Sequence, residues 1–202
     1  MQIDTLRRLM ISSRTVRRFM EEKEVSQETL RKLVELTRYC PSGRNAQPLK
    51  YLLVSDTGDR EKVYPLLKWA GYFPDWDGPV PGQRPAAYLI QCLDTKYGQN
   101  CLCDDGLQLE ALTLGARTLG LGTCIIKAFD HVRLAEIFGL DSRYEPRYVL
   151  AIGYPLEEVA IEDMSGDEDA EFKYYRTPDG VHHVPKRPLE ELIFNISQEH
   201  GQ

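Results

Sequence analysis

The stretch from Asp104 to Leu119 places the tightest constraint on how this chain can fold. Its Leu107, Leu109, Ala111, Leu112, Leu114, Ala116 and Leu119 surround most of a helix's girth instead of forming one stripe. A helix that apolar cannot face water, so it belongs in the middle of the molecule or at a tight subunit interface. Two short, β-prone apolar runs precede it, Tyr51 to Val54 and Ala87 to Leu93, and both read as buried strands, the first as a central one. Gly120-Leu121-Gly122 turns into a third strand ending near Ile126, and Tyr148 to Gly153 supplies a fourth.

The remaining elements follow from local signals. Ile3, Leu6, Leu9 and Met10 recur at helical spacing, and Ser26 caps a helix with Leu30, Leu33 and Val34 on its inner face. Pro41 ends that helix. Asp130 caps a short helix that Gly139 stops. Tyr174 to Arg176 and Val181 to Val184 flank Thr177-Pro178-Asp179-Gly180 as a hairpin, and an amphipathic segment follows at Leu189, Leu192 and Ile193. Residues 157–171 are acidic and poor in large apolar side chains, which predicts an exposed, mobile connection.

A length of 202 residues suits one domain, residues 1–202, with a C-terminal arm at 172–202. Its 42% hydrophobic and 28% charged residues are those of a soluble globular protein. A net charge of −6 argues against nucleic acid and anionic membranes as partners, and no run is long enough to span a bilayer. The N-terminus carries Arg7 and Arg8 within an amphipathic pattern, unlike a secretory signal. Five cysteines without framework spacing read as free thiols in a reducing cytoplasm. Cys101 and Cys103 have no second pair and no histidine at ligand spacing, so no metal is expected. A third glycine is missing after Gly120-Leu121-Gly122, because position 125 is Ile, and neither a Rossmann fingerprint nor a P-loop is supported.

Two stretches are candidates for chemistry, although taken singly the first also reads as a solvated basic turn and the second as an ordinary helix-to-strand loop. Arg14 and Arg17 are three apart with the Thr15 hydroxyl beside the first, a set suited to holding a phosphate. Pro41-Ser42-Gly43-Arg44-Asn45-Ala46-Gln47-Pro48 brackets small residues and two side-chain amides between prolines, and its amides could read a planar ring with polar edges. Residues 71–86 disperse Tyr72, Phe73 and Trp76 among glycines and prolines. They read either as a lid that touches substrate or as a surface loop packing its own aromatics. No Ser-His-Asp order, Cys-His pair or carboxylate pair suggests a catalytic side chain.

In their order and spacing, Arg14-Thr15-Val16-Arg17-Arg18-Phe19 and Pro41 to Pro48 resemble the nitroreductase family of FMN-dependent oxidoreductases. The resemblance runs from Ser13 to roughly Leu192. It implies an α+β fold, a mainly antiparallel central sheet flanked by helices, in an intertwined homodimer with FMN between subunits. It also implies a ping-pong cycle in which NADH or NADPH loads the flavin and a nitroaromatic, quinone or similar small molecule accepts the electrons. By the same resemblance Arg14, Thr15 and Arg17 hold the FMN phosphate and the ring's polar edge. Pro41, Ser42, Gly43, Asn45 and Gln47 meet the ribityl chain and ring, and backbone at Ile126, Lys127 and Ala128 lines the ring. Lys186 or Arg187 returns to the phosphate, unless both are simply solvated. Lys127-Ala128 stands where some members have an acidic residue and glycine, and Leu49 replaces an aromatic residue common in the family. Two alternatives are a specialised flavin-dependent branch, such as a reductive dehalogenase or flavin-cleaving enzyme, and a non-catalytic FMN-binding protein.

Overall fold

A computed structural model describes residues 2–164 and 171–193. The chain separates into two units, Met1–Glu157 and Glu158–Gln202. In the first, β1 (Leu49–Val54), β2 (Ala87–Asp94), β3 (Gly122–Ile126) and β4 (Tyr144–Gly153) form a sheet of order β1-β2-β4-β3, every pair antiparallel. Five helices accompany it: α1 (Ile3–Ser12), α2 (Gln27–Leu36), α3 (Thr57–Val63), α4 (Asp104–Thr118) and α5 (His131–Ile137).

Alternation along β2 explains the layering. Tyr88, Ile90 and Cys92 face one cluster with Val63 of α3 and Leu134 of α5, and Ala87 and Leu89 face another with Leu33 of α2 and Leu112 of α4. Successive side chains of a strand point to opposite faces, so a sheet covered on both sides needs a continuous apolar run. All eight residues of β2 are buried. β1 shows the same two-sided pattern yet lies at the sheet's edge, not its centre, because burial on both faces does not reveal how many neighbours a strand has.

Caps agree with the sequence. The Ser26 hydroxyl accepts the Thr29 N–H at 3.1 Å, and Asp130 accepts the Arg133 N–H at 2.9 Å. α4 lies against α1 and α2, and its orientation over the sheet is fixed by a buried relay. Tyr51 donates its hydroxyl to Gln108 at 2.7 Å and accepts from Gln91 Nε2 at 2.9 Å. Burial pushes the Tyr51 phenol well above its ordinary pKa, so it remains a donor at any working pH.

The aromatic loop after Trp69 packs on the core. Trp76 meets Trp69 edge-on at 6.4 Å and Phe73 at 6.3 Å, while the Tyr64 hydroxyl donates to the Pro79 carbonyl at 2.6 Å. Gly78, at φ +114°, passes so close that a Cβ there would lie 2.5 Å from the Trp69 ring.

In the second unit β5 (Val159–Asp163), β6 (Tyr175–Arg176) and β7 (His182–Lys186) pair in the order β5-β7-β6. β6 and β7 are the expected hairpin. β5 comes from the acidic stretch, where Val159 and Ile161 alternate with polar residues; residues 165–170 of that stretch lie outside those described. His183 Nδ1 donates to Glu162 at 2.5 Å, and Tyr175, stacked on His183, donates to the other Glu162 oxygen at 2.8 Å.

Two outcomes follow. Gly78→Ala combines a left-handed backbone with an overlap on Trp69 and should destabilise the fold by more than about 1 kcal/mol in urea unfolding. The second concerns Asp94, whose side chain is wholly buried beside Arg143 at 3.0 Å and Lys50 at 3.3 Å. Burial opposes its charge, but the Lys96 N–H, Arg143 and Lys50 outweigh it and hold the carboxyl below its ordinary pKa. A depressed folded-state pKa contributes stability that is complete above the unfolded value, about 4, and is lost as pH falls through the folded value. Asp94→Asn should therefore lower the urea midpoint at pH 7, with the difference from wild type narrowing below about pH 4.

Candidate functional site

The 41–48 turn is held in a conformation that its residues would not choose alone. Arg44, Asn45 and Gln47 have φ of 56°, 55° and 48°, left-handed values that are uncommon for residues with a Cβ. Hydrogen bonds over-determine the shape. Asn45 N–H donates to the Ser42 carbonyl at 2.9 Å, Ala46 N–H to the Gly43 carbonyl at 3.1 Å, and Gln47 N–H to the Ser42 hydroxyl at 2.8 Å. Gln47 Nε2 also donates to Asn45 Oδ1 at 3.1 Å. The brace beneath comes from α4: Ser42 donates its hydroxyl to Asp104 Oδ2 at 2.5 Å, and Gly43 N–H donates to Asp104 Oδ1 at 2.9 Å. Pro41, Asn45 and Gln47 are exposed on the outside of this turn, and Asp104 is buried on the inside. Strain maintained by surrounding bonds, with exposed polar side chains, makes this turn a candidate binding site.

The arginine segment runs extended beside β3. Thr15 bridges Thr123 in parallel, and Val16 N–H donates to the Thr123 carbonyl at 2.8 Å. Gly122 permits this approach, since a Cβ there would lie 2.8 Å from the Val16 side chain. Arg14 donates to the Met10 carbonyl at the end of α1 at 2.6 Å, and its buried Nε has no partner among the described residues. Partial burial lowers the pKa of this guanidinium and Glu110 of α4 counters it, yet an arginine remains cationic near neutrality. Thr15 is exposed; Arg17 is buried, and its backbone N–H donates to the Glu157 carboxylate.

β3 carries the chain to Ile126, which is buried, and then to Lys127 and Ala128, which are exposed. Ala128 accepts the Lys68 N–H at 2.9 Å, while its own N–H meets no acceptor among the described residues. Lys127 lies 5.9 Å from the Tyr148 ring centre.

α4 connects these parts. Asp104 in its first turn braces the 41–48 turn, and Glu110, whose charge Arg14 feels, comes six residues later, about 9 Å along the axis. No hydrogen bond or ion pair among the described residues joins Arg14 directly to the turn. Phe73 and Trp76 are committed to the cluster around Trp69, and Tyr72 is exposed. Lys186 and Arg187 are exposed in the second unit. Among the described residues no group of three or more His, Cys, Asp or Glu could hold a metal, and no helix is long and apolar enough to cross a membrane. All five cysteines are free thiols.

Asp104 is the residue that the sequence did not disclose. An acidic residue in a first helical turn reads as a partner for the helix dipole, and nothing local ties it to a turn some sixty positions earlier.

Comparison with known proteins agrees with this architecture. The family model described as "Nitroreductase family" matches residues 12–77 and 103–154. A Bacillus subtilis (strain 168) protein named "Putative NAD(P)H nitroreductase YdgI" is 27% identical over 74% of this chain and 88% of its own length. An Archaeoglobus fulgidus protein named "Putative NADH dehydrogenase/NAD(P)H nitroreductase" is 24% identical over 74% and 85%. Among solved structures, a nitroreductase-like protein of Streptococcus mutans superposes with a TM-score of 0.65 at 17% identity, covering 77% of this chain and 91% of its own. A protein of Exiguobacterium sibiricum, solved in complex with FMN and described as a "putative nitroreductase", gives 0.64 at 20% identity over 75% and 88%. Both superpositions match an α+β fold built on an antiparallel sheet. With more than half of its residues matched by that family model, the chain belongs to the nitroreductase family.

Proposed function

We propose that this chain is an FMN-dependent oxidoreductase acting as a homodimer. It takes hydride from NADH or NADPH and passes electrons to nitroaromatics, quinones or similar small acceptors in a ping-pong cycle. One observation carries the reading: a strained, braced turn presents Asn45 and Gln47 outward in a family whose member from Exiguobacterium sibiricum was solved with FMN.

The donor set suits that cofactor. Arg14 has a buried Nε without an acceptor among the described residues, and a cationic fork of this kind complements a phosphate. Thr15 adds an exposed hydroxyl, and Arg17 adds a second guanidinium on the same segment. Asn45 and Gln47 offer amide donors and acceptors to a ring with polar edges. Gly43 admits close approach of backbone, and Pro41 sets the direction of the chain. Ile126 and Lys127 lead to Ala128, whose N–H is a fixed main-chain donor of the kind that steadies developing negative charge. Lys186 and Arg187 are further cations in this proposal. FMN supplies the hydride and single-electron chemistry when bound, so the proposal assigns no catalytic side chain. Tyr72, which is exposed, and Phe73 and Trp76 of the same loop are the proposed substrate contacts.

Exposed apolar side chains support self-association. No residue of α1 is buried, although Ile3, Met10 and Ile11 recur along it, and Leu107 of α4 and Leu119 just after it are exposed as well. A helix that apolar calls for a second cover, and another copy of the chain provides one.

Purified protein reconstituted with FMN should show a bound flavin band that NADH or NADPH bleaches anaerobically and that an acceptor restores. Protein that retains no flavin after reconstitution contradicts the proposal. Arg14→Ala should weaken FMN binding by roughly 10- to 150-fold, the loss of one charge-assisted contact worth about 1.5–3 kcal/mol, with little change in the unfolding midpoint of the apo-protein. Equilibrium flavin fluorescence checks it.

A further inference from the structure

We propose that Asp104 is a positioning residue that sets the shape of the cofactor-facing turn; this rests on the reading of that turn as an FMN contact. Its two oxygens divide their work. Oδ2 takes the Ser42 hydroxyl at 2.5 Å and Oδ1 takes the Gly43 N–H at 2.9 Å, so one carboxylate grips two consecutive residues. The grip passes onward: because the Ser42 proton goes to Asp104, its oxygen is free to accept the Gln47 N–H at 2.8 Å. A single chain of contacts, Asp104 to Ser42 to Gln47, spans the part of the turn where three residues with side chains have positive φ.

The arrangement is costly to fold. The Asp104 side chain belongs to a residue only 1% exposed, and no cation lies within ion-pair distance among the described residues. Removing a carboxylate from water without a counter-ion is unfavourable, and among the described residues two donors and the N-terminal end of α4 offset it. An apolar side chain would fill the space without that cost. What it would not do is hold Ser42 and Gly43 in register with a helix already fixed to the sheet. Gln108, four residues on and so on the same buried face of α4, accepts the Tyr51 hydroxyl, which in turn accepts from Gln91. The path therefore runs from sheet to helix to carboxylate to turn, and it places the outward amides of Asn45 and Gln47. This also reassigns Ser42. Its hydroxyl proton is committed inward, and its principal role is to transmit the position of Asp104.

Asp104→Asn tests the assignment. An amide of the same shape can accept one of the two hydrogen bonds and not both, so the Ser42–Gln47 contact loses its geometry. FMN dissociation constants for wild type, Asp104→Asn, Ser42→Ala and the double variant are measured by flavin fluorescence. Hydrogen exchange at Gly43 and Gln47 is measured in the apo-proteins. Asp104→Asn should weaken FMN binding by roughly 10- to 100-fold. It should speed exchange at both turn amides while the middle of α4 stays protected, and the double variant should bind within about twofold of Asp104→Asn alone, since residues acting in series are not additive. Affinity within twofold of wild type, or losses that simply add, would overturn the proposal. Asp104→Glu keeps the charge but displaces the carboxylate by a methylene; the same losses are expected, and it replaces the asparagine variant should that fail to fold. If wild-type protein takes no FMN, the cofactor reading fails, and exchange alone decides whether Asp104 holds the turn.

Discussion

Covering both faces of one antiparallel sheet is the constraint on which the rest of the first unit depends. β2 has no solvent-facing side, so the chain must supply a helical layer above it and another below. α4 and α2 form one of these layers, with the fully buried Leu112 and Leu30 among their contributions. Burial of a side chain of that size is worth about 1.5–3 kcal/mol, so the layer is held by many such contributions and not by any single polar contact. Because α4 is pressed against the sheet in this way, its first turn can act as a fixed support for the loop beside it.

Polar interactions then decide what that framework presents. Asp94 shows a buried carboxylate neutralised by cations, a stabilising use of charge. Asp104 shows the other use, a buried carboxylate with no cation beside it among the described residues, whose acceptors serve a neighbouring turn. The contrast separates a residue that holds the fold from one that holds a site. Next to the end of α1, Arg14 has a buried Nε without a partner among the described residues, and β3 leads to Ala128, whose N–H meets no acceptor among them. A cation, outward amides and an unpaired main-chain donor are the complement of an anionic, planar, polar-edged molecule.

Much of the first unit was legible because local and tertiary demands agree. Ser26, Asp130 and Gly139 punctuate helices as their chemistry predicts, and of the apolar girth of α4 Leu109, Leu112 and Ala116 are buried against the sheet and α2 while Leu107 and the following Leu119 are exposed. The edge position of β1 was not legible, since a two-sided apolar run describes its faces and says nothing of its neighbours. β5 was masked by its acidic surroundings, although Val159 and Ile161 hold the two-residue period of a strand. The motifs named Ser42, Asn45 and Gln47, but their backbone strain and their dependence on Asp104 are properties of packing between elements far apart in sequence. Aromatic residues 72–76 announced a cluster without saying that its anchor is Trp69.

A crystal structure of the reconstituted protein with FMN tests the central claim most directly. The account predicts the flavin phosphate on the Arg14 guanidinium and the ring edge against Asn45 and Ala128, drawn from one subunit or shared between two. Flavin density elsewhere, with Arg14 still turned to Met10 and the 41–48 turn empty in every subunit, would contradict it.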